Sequence, residues 1–147
     1  MNKWIRALAA VAALMGLATL TGCATTPDKP IVKAAYHVNG DLDTANAALR
    51  NIRNHLEADP TAKIVVVTHS KGIDFLLDGA VDKNGNAFAT AVDDLALKGV
   101  EFKVCNNTLV SRKIDKSKVI SSASIVPSGV AEITRLQALE GFVYIKP

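Results

Sequence analysis

The segment "KIVVVTHSKG" constrains this chain more than any other. Ile64 to Val67 are consecutive apolar, β-branched residues with no polar residue among them. A strand with one wet face alternates in polarity, whereas a strand covered on both faces does not, and the latter is the habit of a central strand in a parallel sheet. Gly72 and "IDFLLDGA" follow at once, so the chain is expected to turn from strand into a short helix.

The flanking segments repeat that rhythm. "IVKAAYHV" (31–38) predicts a first strand, and Asp41 or Asp43 can cap a helix in which Leu42, Ala45, Leu49, Ile52 and Leu56 form one apolar stripe. Asp59-Pro60 ends that helix, because the residue before proline is pushed out of helical geometry. His55 falls on its polar side and reads as surface. A second helix is expected over 87–98, with Phe88, Val92 and Leu95 inward and Gly99 as its stop. "VEFKVC" alternates, so one face of that strand is expected to be wet or paired with another subunit. "NNTLVSRKID" suits a short helix and "KVISSASIVP" another strand. Ser128 or Gly129 then opens a helix with Val130, Ile133, Leu136 and Leu139 inward, Gly141 closes it, and "FVYIK" is the last strand. Strands alternating with helices predict an α/β fold, a single-domain parallel-sheet α/β/α sandwich over 31–147.

The first residues obey different rules. Lys3 and Arg6 precede an apolar run from Ala7 to Leu20, too short for an ordinary membrane span and ending in small residues, which is the pattern of an export signal over 1–22. Leu20-Thr21-Gly22-Cys23 resembles a bacterial lipobox, which implies cleavage before Cys23, acylation of its thiol and a short tether over 23–30. Ala24 rather than Asp after the cysteine favours the outer membrane, with the domain facing the periplasm. The chain carries 17 Lys and Arg against 14 Asp and Glu, and two of those bases leave with the signal. So even a balance gives no footprint for nucleic acid.

Lipidation of Cys23 leaves Cys105 without a partner, in a compartment where cysteines usually come in pairs. In open α/β sheets, ligands sit beyond the carboxyl ends of the strands. The expected strand ends bring His37 and Asn39, then Thr68, His69 and Ser70, then Cys105, Asn106 and Asn107, then Ser128 and Gly129, to one rim. A cysteine just ahead of a helix start has its thiolate favoured, and the thiolate is the reactive form. The same cysteine also suits a small hydrophobe buried beneath the rim.

Other readings use the same residues. "THSKG" resembles the nucleophile elbow of hydrolases, but Thr68 stands where that motif has glycine, and no histidine follows Ser70, where the family places one. His37, His69 and Cys105 together would suit zinc or copper, yet no pair has the spacing of a metal motif, so no metal or other cofactor is expected. The N–H groups of Ser70 to Gly72 at a helix start could cradle a small anion.

"KIVVVTHSKGIDFLLDGA", "LALKGVEFKVCNNTL" and "IVPSGVAEITRLQALEGFVYIKP" resemble the DsrE/DsrF-like family, whose fold is also called YchN-like. The resemblance implies a parallel α/β subunit that assembles into trimers or hexamers. It also implies that a cysteine after a central strand carries persulfide between partner proteins or small sulfur compounds, as a sulfurtransferase-like carrier. Cys105 in "FKVCNNTL" occupies that position, and His69, Ser70, Gly72, Asn106, Asn107 and His37 are expected to shape its pocket. The alternative is a non-catalytic anion-binding, metal-binding or assembly module of the same fold.

Overall fold

The structure is a computed structural model that describes residues 30–147; Cys23, the expected signal segment and all of the tether but Pro30 lie outside the described residues. Five strands form one sheet: β1 (Lys33–Val38), β2 (Lys63–Thr68), β3 (Glu101–Cys105), β4 (Ala123–Val126) and β5 (Val143–Ile145). Their order is β4-β3-β2-β1-β5, and every pairing is parallel. The uninterrupted apolar run is therefore the middle strand, as its composition requires.

Four α-helices connect them: α1 (Leu42–Ala58), α2 (Phe88–Leu97), α3 (Asn106–Ser111) and α4 (Gly129–Glu140), with a 3-10 helix over Ser70–Leu76 between β2 and α2. Asp41 caps α1 by accepting the Thr44 N–H at 3.1 Å. Its apolar stripe of Ala45, Ala48, Leu49, Ile52 and Leu56 is buried. Together with α2 and the 3-10 helix it covers the face of the sheet that presents Ala34, Tyr36, Val38, Ile64, Val66, Phe102 and Val104. Each fully buried Leu or Ile of this kind contributes about 1.5–3 kcal/mol relative to an exposed one.

The opposite face is thinner. Ala35, Val65 and Val67 meet only Ile133 and Leu136 of α4, plus Phe142. Val130 and Leu139, expected to face inward, are 59% and 78% exposed. Successive steps of three residues drift by about 60° around a 3.6-residue helix, so a stripe centred on Ile133 and Leu136 leaves those two at its margins. His55 also departs from expectation: it is half-buried, and its Nδ1 is bonded to the Tyr36 hydroxyl at 3.0 Å. No helix among the described residues is long and apolar enough to cross a membrane.

Candidate functional site

Period-two alternation decides what gathers at the rim. Ala35 faces α4, so His37 does too; the β1–β2 register sets His37 beside Val67, and His69 follows Val67 by one further alternation. On the other side of β1, Tyr144 pairs with Ala35 and shares that face. Two strands away Cys105 ends β3, opposite Val126 of β4.

Cys105 is only 4% exposed. Burial pushes its thiol up, but this is outweighed by hydrogen bonds to the sulfur from the N–H of Gly129, the hydroxyl and N–H of Thr108 and the N–H of Asn107. The net result is a pKa below the ordinary thiol value, so the thiolate is favoured. The starts of α3 and α4 thus converge on one sulfur. Thr108 links this centre to the neighbouring loop, because its Oγ1 also accepts the Ser70 N–H at 3.0 Å. Ser70 has a φ of 54°, a left-handed conformation for a non-glycine residue. The contact with Thr108, and Arg112 donating to the Ser70 carbonyl at 3.0 Å, hold it there.

The Cβ atoms of His69 and Cys105 flank the bare Cα of Gly129. A methyl placed on Gly129 would stand 3.3 Å from Cys105 Cβ and 3.4 Å from His69 Cβ. His37 and His69 are joined Nε2 to Nε2 at 2.7 Å. His37 Nδ1 is bonded to the Tyr144 hydroxyl at 2.7 Å, and His69 Nδ1 to Ser70 Oγ at 2.9 Å. Burial, then the Lys146 charge and His69, push His37 down to about 4; burial and Lys146 lower His69 as well. Both rings are therefore neutral at neutral pH.

The remaining expected residues fall as follows. Asn106 is half-buried, and its Oδ1 is sealed from water without a hydrogen-bond partner. It lines a shallow cavity of about 300 Å³ with Lys116, Ile125, Val126 and Pro127. Asn107 is exposed, and its N–H also reaches the Pro127 carbonyl at 3.3 Å. Of the N–H groups expected to cradle an anion, Ser70's is taken by Thr108 and Gly72's by the His69 carbonyl at 2.9 Å. Gly72 instead serves close packing: a Cβ there would lie 2.1 Å from the Val38 carbonyl oxygen. No group of three or more His, Cys, Asp or Glu among the described residues could hold a metal. A cavity of about 520 Å³ lies away from the rim against α1, lined by Asp43, Arg50, Arg53, Asp82 and Lys83 among others.

Sequence reasoning missed Tyr144, Thr108 and Lys146. Thr108 was within reach, as it lies one helical turn into the segment that follows Cys105. Tyr144 and Lys146 depend on β5 pairing with β1, which no local pattern shows.

The model of the DsrE/DsrF-like family matches residues 25–147. No curated protein matches the chain. Among solved structures, the chain is similar to MTH1491 from Methanobacterium thermoautotrophicum, a protein described as of unknown function. The identity is 28%, covering 79% of this chain and 99% of that one, with a TM-score of 0.69. It also resembles the ychN protein from E. coli, at 15% identity over 78% of this chain and 100% of that one, with a TM-score of 0.64, a likeness of fold.

Proposed function

This chain belongs to the DsrE/DsrF-like family, and from that premise we propose that Cys105 carries sulfane sulfur as a persulfide, handing it between a donor and an acceptor. One observation carries the reading. A nearly buried thiol would ordinarily stay protonated, yet the polar groups of Gly129, Thr108 and Asn107 around this sulfur favour its anion. A thiolate is what attacks a sulfur–sulfur bond. Small exposure suits a small sulfur compound, or a slender group that a partner protein inserts at the rim.

Leu20-Thr21-Gly22-Cys23 supports lipidation at Cys23 and a place on the periplasmic side of a bacterial membrane, the outer membrane favoured. Val130, Leu139 and Tyr144, large apolar or aromatic side chains left exposed on the thin side of the sheet, support assembly into a trimer or hexamer.

Mass spectrometry of the purified protein after exposure to polysulfide or thiosulfate tests the central claim. The expected result is added sulfur on the peptide containing Cys105, removed by reductant and lost in Cys105→Ser. A native Cys105 that takes no sulfur and resists small alkylating agents overturns it.

A further inference from the structure

We propose that the hydrogen-bonded chain Tyr144–His37–His69–Ser70 is a proton relay for Cys105, taking the proton that a persulfide donor releases and returning it to the departing thiol. The inference rests on the persulfide reading of Cys105 and names the donor class and the groups that balance its protons.

The geometry sets the capacity of the chain. Two Nε2 atoms 2.7 Å apart can hold one hydrogen between them but not two. With both rings neutral, only two arrangements satisfy every link. In one, Tyr144 donates to His37, His37 to His69, and His69 to Ser70; in the other, every bond runs the opposite way. Moving each proton by one place converts the first into the second, which is how a proton passes along a wire. One extra proton also fits, since an imidazolium at His37 can donate to both Tyr144 and His69. A second would place two N–H groups head to head. The array therefore accepts one proton and then is full.

Its surroundings keep it unprotonated until a proton is delivered. Lys146, after β5, is the cation that bears on both rings, and burial acts in the same direction. Tyr144 comes from β5, and Cys105 comes from β3 across Gly129. At the far end, Arg112 holds the Ser70 carbonyl and is itself paired with Asp74 at 2.6 Å.

The reaction balances as follows. The Cys105 thiolate attacks the terminal sulfur of a persulfide, R–S–SH. A Cys105–sulfur bond forms, the bond between the two donor sulfurs breaks, and RS⁻ leaves with the electron pair. The proton on the transferred sulfur passes to the relay and then to RS⁻. The products are RSH and Cys105–S–S⁻, with no external oxidant or reductant.

Single-turnover sulfur transfer to the full chain, from an alkyl persulfide and from an aryl persulfide with a more acidic leaving thiol, tests this. His37→Gln and His69→Gln are expected to slow transfer from the alkyl donor by about 10- to 100-fold and from the aryl donor less than about twofold, because only a basic leaving group needs the returned proton. Tyr144→Phe, which keeps the ring contacts, is expected to show the same bias with a smaller loss and serves should the histidine variants fail to fold. Rates equal to wild type, or equal losses with both donors, overturn the relay while leaving the carrier reading intact. Wild-type Cys105 that takes sulfur from neither donor overturns both.

Discussion

Thr108 Oγ1 accepts the N–H of Ser70 at 3.0 Å, and the same side chain helps to hold the Cys105 thiol below its ordinary pKa. One hydroxyl thus fixes a backbone in an uncommon conformation after β2 and favours an anion at the end of the adjacent strand, β3. Thr108→Val keeps the shape and removes both bonds. It is expected to cost about 1–3 kcal/mol by leaving the Ser70 N–H unpaired, and to raise the Cys105 pKa. Thr108→Ser should restore both. Urea denaturation and the pH dependence of Cys105 alkylation check the two effects separately.

Gly129→Ala tests how closely Cys105 and His69 pack about Gly129. The added methyl would meet the Thr68 carbonyl oxygen at 3.1 Å as well as the two Cβ atoms, so the rim must spread slightly rather than collapse. The expected outcome is a stability loss of about 1 kcal/mol, with Cys105 alkylated several-fold more slowly at neutral pH. An unchanged alkylation rate would mean that the spacing across Gly129 does not govern the thiol.

Gly72→Ala is a harsher case. Its Cβ would fall 2.1 Å from a main-chain oxygen at the end of β1, and backbone in the middle of a sheet cannot step aside. A loss of about 3 kcal/mol or more is expected, at the upper end for overpacking. A clear fall in thermal midpoint, with His37 and His69 still present, checks it.

Acid should weaken the fold through the same two histidines. His37 titrates at about 4 instead of 6.5 when folded, and His69 is shifted the same way, so the unfolded chain binds more protons than the folded one in between. Their contribution is complete above 6.5 and is lost as the pH falls towards 4. For half-exposed rings, screened by water, this amounts to about 1 kcal/mol. Urea midpoints measured at neutral pH and in mild acid should show the slope, and His37→Gln should flatten it.

The architecture was largely legible because its signals are local. An unbroken apolar run named the middle strand, a three-and-four stripe named α1, and Gly141 named the end of α4 with a φ of 72°. The rim was legible only as a set of strand ends. That His37 reaches His69 follows from β1 lying beside β2, which the strand–helix alternation already suggested. That Tyr144 completes the chain depends on β5 crossing back to the far side of β1, information carried by no neighbouring residue. The exposure of Val130 and Leu139 was misjudged because a step of three mimics an inward stripe for one turn and then drifts off it.

Tyr144 lies 107 positions from His37 and is held by an edge strand of only three residues. Short edge strands are among the first elements to fray. Brief detachment of β5 would carry Tyr144 away from His37 and leave Cys105, two strands inward on β3, in place. Sulfur capture and proton traffic would then have different lifetimes in the same molecule, and a contact made on that edge by another subunit or a membrane component would set how long they coincide.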